Sequence, residues 1–391
     1  MSKLVNYMSL SRFKKLPVNL FVGIRQVILK SKTWFIMFFV MLIATSMMLV
    51  PMNLLNTFKS PHFITYMGQS MNDIIISVSV SERLTEKYDE ISAVLDGDAD
   101  VSDYIVEARI LYEAINKDGE WINVHIDSSN VAKRELQYLE GNVPMNESQI
   151  ALSTMNANEM GVEVGDTLTM RINGEETSHI VSGIYQDVTS GGYTAKMVRA
   201  YDPGAVERYS FFINVNEDVD IAQKVDVYKD AIGIDVKVTD MEEFVEQTLG
   251  GVTNQLGKAV YAVAVMAMGL VALITIMFLK LQTVKEYSQI AIMKAIGFSV
   301  VDIRKQYLVK VSSVSLIGVI AGTLLANTLG EVMVSSLISI IGLGISKISF
   351  VINPFEAYLL YPLAILAIVL LVTWYCSGGF KKYNIIHLIN E

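Results

Sequence analysis

Apolar residues in this chain gather into long runs without charge. Residues 33–55, 259–279 and 357–380 contain no Asp, Glu, Lys or Arg. A helix rises 1.5 Å per residue, so about 20 apolar residues cross about 30 Å of hydrocarbon. Each of these runs is long enough. A further apolar run, 311–331, ends on Glu331, and 332–345 beyond it is apolar but short. The pattern predicts four transmembrane helices, with 332–345 as a second, interfacial helix rather than a fifth span.

Between the first and second spans the period changes. Residues 73–80 alternate and are β-branched, which predicts a strand, and 81–95 has helical spacing with Ser81 as its cap. Residues 104–115, 121–126, 209–215 and 234–238 read as strands and 219–231 as a helix. Strand–helix–strand on both sides of an insertion predicts a split βαβ sandwich. The insertion, 133–200, reads as a small β-rich subdomain. It has a strand at 149–153, a short helix at 154–160 stopped by Gly161, and a hairpin across Asn173-Gly174. An amphipathic helix, 241–257, interrupted at Gly250-Gly251, leads back to the second span.

The predicted fold class is an α+β membrane protein. Four transmembrane helices carry a large α+β extracytoplasmic domain between helices 1 and 2. The segments are a basic lead-in at 1–33, helix 1 at 34–55, the polar domain at 56–257 and helix 2 at 258–281. A loop at 282–310, helix 3 with its interfacial extension at 311–345, helix 4 at 357–377 and a tail at 378–391 follow. Pro17 divides the lead-in, and 18–29 is predicted to be a short helix. It is either a plain basic flank or a helix lying in the interface.

Composition supports the membrane class, with 52% hydrophobic and 18% charged residues in 391. Residues 56–257 hold 35 acidic and 14 basic side chains, a net of −21 against −9 for the whole chain. Basic residues collect instead in 1–33, in the loop around Lys285, Lys294, Arg304 and Lys310, and in Lys381 and Lys382. The positive-inside rule then puts both termini and this loop in the cytoplasm and the acidic domain outside a plasma membrane, and an outer domain without cysteine suits a bacterium. The first apolar run is too long for the h-region of a cleaved signal. The one cysteine, Cys376, lies in the last span, so the polar domain has no disulfide and holds by packing. Asn146-Glu147-Ser148 fits a glycosylation sequon, which chance also explains.

Several chemistries are excluded. The chain has no G-x-x-x-x-G-K-[ST] and so no P-loop for ATP, and it has no H-E-x-x-H, C-x-x-C or G-x-S-x-G. Its histidines, 62, 125, 179 and 387, lack metal-ligand spacing. No catalytic, cofactor or metal residue is predicted, and acidic residues outside read as a solvated surface. Intramembrane charges mark polar pathways, and Glu331 alone is a candidate, so a polar tunnel is not expected. Two features remain. Gly318, Gly322, Ala326 and Gly330 recur every four residues in the third span. This spacing lets backbones approach closely, either within the chain or against a partner permease. The loop after the second span, Glu286 to Gly297, places Ile290, Met293 and Ile296 on one predicted face. Lys294 lies near its C-terminus, Gly297 serves as a left-handed stop, and Ser299 with Asp302 caps the next helix. An apolar helix on a cytoplasmic loop is a docking site, or else rests on lipid headgroups.

Residues 286–297 with Asp302-Ile303-Arg304 resemble the signature loop of FtsX/MacB-like permeases of ATP-binding cassette (ABC) systems. Residues 146–166, with Ile150-Ala151-Leu152-Ser153 and Met160-Gly161-Val162-Glu163-Val164-Gly165-Asp166, resemble the small subdomain of their outer module. That resemblance implies an ATPase-coupling helix carrying Glu286, Gln289, Ile290, Met293, Lys294, Ile296 and Gly297. It further implies a second permease copy or paralogue, and a separate cytoplasmic ABC ATPase that holds the ATP and Mg; this chain binds neither, nor nucleic acid. The implied function is a permease subunit of an exporter or mechanotransmission complex that moves its outer domains to act on peptides, lipids or drugs. Alternatives are a regulator of an outer hydrolase, an antimicrobial-peptide sensor, or a membrane-anchored receptor or scaffold without ATPase. The basic lead-in also looks like a mid-protein junction, as in half of a longer split permease.

Overall fold

A computed structural model describes residues 18–79, 83–129, 136–233, 236–341 and 344–382. They divide into two compact units. A helical unit lies within Met1–Asn56, Gln255–Glu331 and Phe350–Glu391, and a sheet unit within Thr57–Asn254 and Val332–Ser349. Four helices among the described residues are long and apolar enough to cross a membrane, and the chain is of mixed α+β class.

In the helical unit, α1 (Val18–Leu29) precedes α2 (Ser31–Lys59). Trp34, Met37, Met41, Ala44 and Met48 of α2 are buried at alternating steps of three and four. That 3.5-residue period keeps one seam of α2 facing its neighbours along its length. Val271 and Phe278 from α6 (Met241–Lys285), Val311 and Val314 from α8 (Val300–Ile341), and Ile365 and Val369 from α9 (Tyr361–Cys376) close on it. A π-helical turn, Glu356–Leu360, leads into α9. Pro362 has no N–H and its ring crowds the carbonyl one turn back, which explains the widened turn.

The small-residue stripe is taken up inside the chain. A Cβ at Gly322 would stand 2.6 Å from the Leu42 carbonyl oxygen, and one at Gly318 2.8 Å from that of Phe38. Gly330 meets Val50, and Ala326 is fully buried beside Leu49. The reading of this stripe as a surface for a partner permease is therefore corrected: α2 already occupies it. Close approach permits polar links between the helices. Ser46 Oγ donates to the Gly322 carbonyl (3.0 Å) and Asn53 Nδ2 to Asn327 Oδ1 (2.7 Å).

Two helix expectations fail for one reason. The predicted interruption at Gly250-Gly251 is absent, and α6 runs unbroken from Met241 to Lys285. The predicted separate helix at 332–345 is instead the continuation of α8 to Ile341. Glycine weakens a helix by only about 1 kcal/mol, and a single acid does not break one. Glu331 is instead satisfied by the Phe350 N–H, 3.0 Å away.

The sheet unit is built on β1 (Ile74–Ser79), β2 (Val101–Ile115), β9 (Val206–Val215) and β10 (Lys237–Asp240). Its order is β10-β1-β9-β2, with each neighbouring pair antiparallel. Thus β1 and β2 run parallel with β9 between them, joined through α3 (Leu84–Asp96). In the same way β9 and β10 flank β1, joined through α5 (Ile221–Ile232). This is the split βαβ arrangement, used twice. Ile91 and Leu95 of α3 and Val225, Tyr228 and Ile232 of α5 pack on Ile76, Ile110 and Phe211. Asp220 caps α5 by accepting from Gln223 N. The cap predicted at Ser81 lies outside the described residues; α3 starts at Leu84 without a side-chain cap bond.

The β-rich insertion is not a separate sheet. From β2 the same sheet continues through β3 (Trp121–Ser129), β8 (Thr194–Val198), β5 (Gln149–Ser153), β7 (Glu175–Tyr185) and β4 (Tyr138–Gly141). β6 (Thr167–Ile172) pairs with β2 and β7. β8 joins the halves by lying parallel to β3, a long-range pairing that local periodicity does not signal. Local signals in the insertion hold. Ser153 caps α4 (Thr154–Met160), Gly161 takes φ +65°, and Asn173 and Gly174 take φ +52° and +83° at the hairpin.

The sheet face opposite α3 and α5 carries a buried charged row. Arg109 on β2 stands directly across from Asp127 on β3, and Asp127 from Lys196 on β8. Arg109 grips Asp127 with two bonds, 2.7 and 3.0 Å, and Lys196 lies 3.3 Å from Glu107 and 3.4 Å from Asp127. All are nearly inaccessible, so the expectation that acids outside form a solvated surface is corrected at Glu107, Asp127 and Asp187. Burial would raise the Asp127 carboxyl, but Lys196 and Arg109 outweigh it and hold the group well below the usual carboxylate range. Among the described residues no cation forms a direct ion pair with Asp187, and Lys196 lowers it only weakly. Burial pushes it up to about 6, against hydrogen bonds from Thr194 and Thr189.

Two outcomes follow. Gly322→Val should destabilise the helical unit by about 1–3 kcal/mol through overpacking. Gly269→Val, where a Cβ meets nothing within 4 Å, should leave the thermal midpoint in detergent unchanged. Neutral Asp187 is favoured by burial, so its contribution to stability is full below the ordinary value near ~4 and is lost as pH rises through about 6. Relative to Asp187→Asn, the wild-type sheet unit should lose on the order of 2–3 kcal/mol across that window. Denaturant titrations read at Trp121 would measure this, and parallel pH curves would contradict it.

Candidate functional site

The candidate site is the elbow between α6 and α8. It contains α7 (Tyr287–Ala295), a helix of 9 residues. Its stop follows the sequence. Gly297 takes φ +98°, its N–H bonds the Lys294 carbonyl (3.1 Å), and the Phe298 N–H reaches back to Met293 (3.0 Å). That is a Schellman closure, which only glycine enters without strain. Ser299 and Asp302 then cap α8 reciprocally. Ser299 Oγ accepts from Asp302 N (3.1 Å), and Asp302 Oδ2 accepts from Ser299 N (3.2 Å).

Glu286 opens the elbow, and its role differs from the predicted one. Only 3% exposed, it accepts from Tyr307 Oη (2.6 Å), Lys310 Nζ (2.9 Å) and Lys30 Nζ (2.9 Å). Lys310 and Tyr307 are themselves buried. The carboxylate thus draws together the turn that leads into α2, the elbow and α8. It is an internal anchor, unavailable to a docking partner. Asn19 of α1 adds a second tie, donating to Asp302 Oδ1 and accepting from Gln306 Nε2, each at 3.3 Å. α1 is therefore held against α8 by polar contacts of its own.

The apolar face of α7 also needs correction. Ile290 is fully buried and Met293 packs half-buried against the helical core, whereas Ile296 is 69% exposed. At 100° per residue, steps of three drift by 60° each, so Ile296 lies about 120° from Ile290. Ile292, 61% exposed, lies about 40° from Ile296 and shares its outward side. Gln289 and Gly297 are exposed as well, and Lys294 is half-buried. The exposed side of α7 therefore carries Ile292 and Ile296, and Ile292 was missed by the sequence pattern. Steps of four from Ser288, to Ile292 and Ile296, would have identified it. No group of three or more His, Cys, Asp or Glu able to hold a metal occurs among the described residues.

This elbow lies within residues 261–385, which match the family model for the C-terminal part of FtsX-like permeases. Over these residues the chain is similar to that family, and its fold is of mixed α+β class with four helices, among the described residues, long and apolar enough to cross a membrane. Among solved structures, the chain is similar to the periplasmic region of MacB from Actinobacillus actinomycetemcomitans. Identity is 11% over 48% of this chain and 95% of that one, with a TM-score of 0.32. It is also similar to the extracellular domain of the noncanonic ABC-type transporter YknZ from Gram-positive bacteria, at 12% identity over 43% of this chain and 100% of that one, with a TM-score of 0.30. No curated protein matches the chain.

Removing the anchor leaves Lys310 buried without its anion. Glu286→Leu should therefore cost about 3–5 kcal/mol and loosen the elbow. Amide exchange over Tyr287–Ala295 in the detergent-solubilised protein should accelerate by orders of magnitude, and unchanged protection would show that the anchor is idle.

Proposed function

We propose that this chain is a permease subunit of an ABC-type system in a bacterial plasma membrane. A separate ATPase, carrying the ATP and Mg, docks on the elbow from the cytoplasm. Its hydrolysis cycle moves the spans and, with them, the acidic sheet unit outside. The observation that carries this reading is the elbow itself. It exposes Ile292 and Ile296 side by side, while Glu286 fixes its root to α2 and α8. An exposed apolar pair on a short, rigidly rooted helix suits a partner surface. A loose loop would absorb a push, whereas this one passes it to α2 and α8.

The basic residues around the elbow and the net −21 of the polar domain favour the proposed orientation. Ser46 and Asn53 in the spans serve helix-to-helix bonds, which favours movement over a polar pore. Action at the outer face suits amphiphilic cargo such as peptide, lipid or drug, or transmission of a signal to an outer hydrolase or sensor. Exposed Phe35, Ile36 and Phe39 on α2 and Tyr261, Val265 and Met277 on α6 offer apolar surface for lipid and for a second permease copy.

Ile292→Asp with Ile296→Asp should abolish copurification of a co-expressed ABC ATPase, while yield and thermal midpoint stay near wild type. Both side chains point outward, where substitutions cost about 0.5 kcal/mol or less. A complex that survives both changes removes the docking surface. A wild-type chain that captures no ATPase favours a receptor or scaffold instead.

A further inference from the structure

The sheet unit includes a segment that sequence order assigns to the spans. Residues 344–349, in the link between α8 and α9, belong to the same compact unit as the sheet. The link has no helix or strand of its own there, so its backbone N–H groups need other acceptors. Side chains of the sheet unit supply them. Gln186, the residue after β7, accepts at Oε1 from the N–H groups of both Ser346 and Lys347, each at 2.7 Å. Tyr66 accepts at Oη from Ser349 N (2.8 Å). Ser335, near the end of α8, accepts from Ile348 N (3.0 Å) and donates to the Ile348 carbonyl (3.2 Å).

Packing closes the same clamp. Ile345 and Ile348 are buried, as is most of Gln186. Gly344 takes φ +76°, and a Cβ there would drive into the Asp187 carbonyl oxygen, beside Gly192. Tyr66 is tied to this turn by its own carbonyl, which accepts from Val188 N (3.0 Å), and Met67 forms a bridge with Asp187. Chain from before β1, the turn after β7, and the link between α8 and α9 therefore meet at one point. Gln186 is the side chain that takes two of the link's N–H groups on a single oxygen.

We propose that Gln186 is a positioning residue that clamps the α8–α9 link into the sheet unit, so that displacement of these spans is carried into the sheet by side-chain hydrogen bonds. This rests on the mechanical reading above, and it adds a connection that sequence continuity through α2 and α6 does not provide. The chemistry is specific. Two converging N–H donors need an acceptor with two lone pairs and no competing donor at that atom. Gln186→Met keeps the length and loses the acceptor. Gln186→Glu keeps the acceptor.

Two measurements test it. In the solubilised full chain, Gln186→Met should speed exchange of the Ser346 and Lys347 amides roughly tenfold or more, the scale of losing one hydrogen bond at each. Gln186→Glu should leave both protected, and equal exchange in all three proteins would overturn the clamp. In the complex with its ATPase, spin labels on Glu217 of paired sheet units report their separation with and without ATP. Gln186→Met should leave ATPase binding and basal hydrolysis intact but cut the ATP-driven distance change by half or more, with Gln186→Glu restoring it. A full distance change in Gln186→Met overturns the inference alone. A wild-type complex with no ATP-dependent change overturns the mechanical reading, and the inference with it.

Discussion

A buried charge must be answered where it lies, and both units of this protein are organised around that constraint. In the helical unit, the Glu286 carboxylate takes Lys30, Lys310 and Tyr307 onto one group. In the sheet unit, Asp127 sits between Arg109 and Lys196 across neighbouring strands. Ion pairs of this kind add little net stability over apolar packing, but breaking one leaves an unpaired charge that costs several kcal/mol. They therefore fix geometry more than they add strength. At Glu286 the fixed object is the root of the elbow; at Asp127 it is the register of β2, β3 and β8.

The elbow joins two opposing demands. Its inner side must be held, which Ile290, Ala291 and the Glu286 anchor achieve by burial. Its outer side is open, with Ile292 and Ile296 exposed there. A short helix satisfies both because its faces diverge by 100° per residue. The Schellman stop at Gly297 and the reciprocal cap at Ser299 and Asp302 keep the connection to α8 short and stiff. Rigidity at the root and apolar exposure at the tip are the two features on which the proposed docking role rests.

Within the spans, close approach replaces hydrophobic contrast. Lipid is as apolar as leucine, so association depends on fit and on hydrogen bonds between helices. Gly318 and Gly322 bring α8 onto the carbonyls of α2, and the Ser46 and Asn53 bonds become possible at that distance. The same economy appears in the α8–α9 link. Without secondary structure, it takes its acceptors from Gln186, Tyr66 and Ser335.

Local chemistry was legible from the chain alone. The apolar runs identify the spans because hydrocarbon thickness sets their length. Pro17 and the spacing after it predict α1, and the Asn173-Gly174, Gly161, Gly297 and Ser299–Asp302 signals appear as turns, stops and caps because each depends on a few neighbouring residues. Strand and helix alternation was enough for the split βαβ core. What lay beyond reach depends on which residue meets which across the chain. The sheet runs on through β8 into the insertion by long-range pairing, and no local period encodes that. Asp127 and Asp187 look like surface acids in sequence and Glu286 like part of a docking helix, since burial depends on what packs over a side chain. The stripe at Gly318 was visible, but its partner α2 was not. Sequence determines each element's period and the turns and caps that depend on neighbouring residues; tertiary contact alone decides whether a charge is solvent-facing or an anchor, because only contact sets the dielectric and the partners around it.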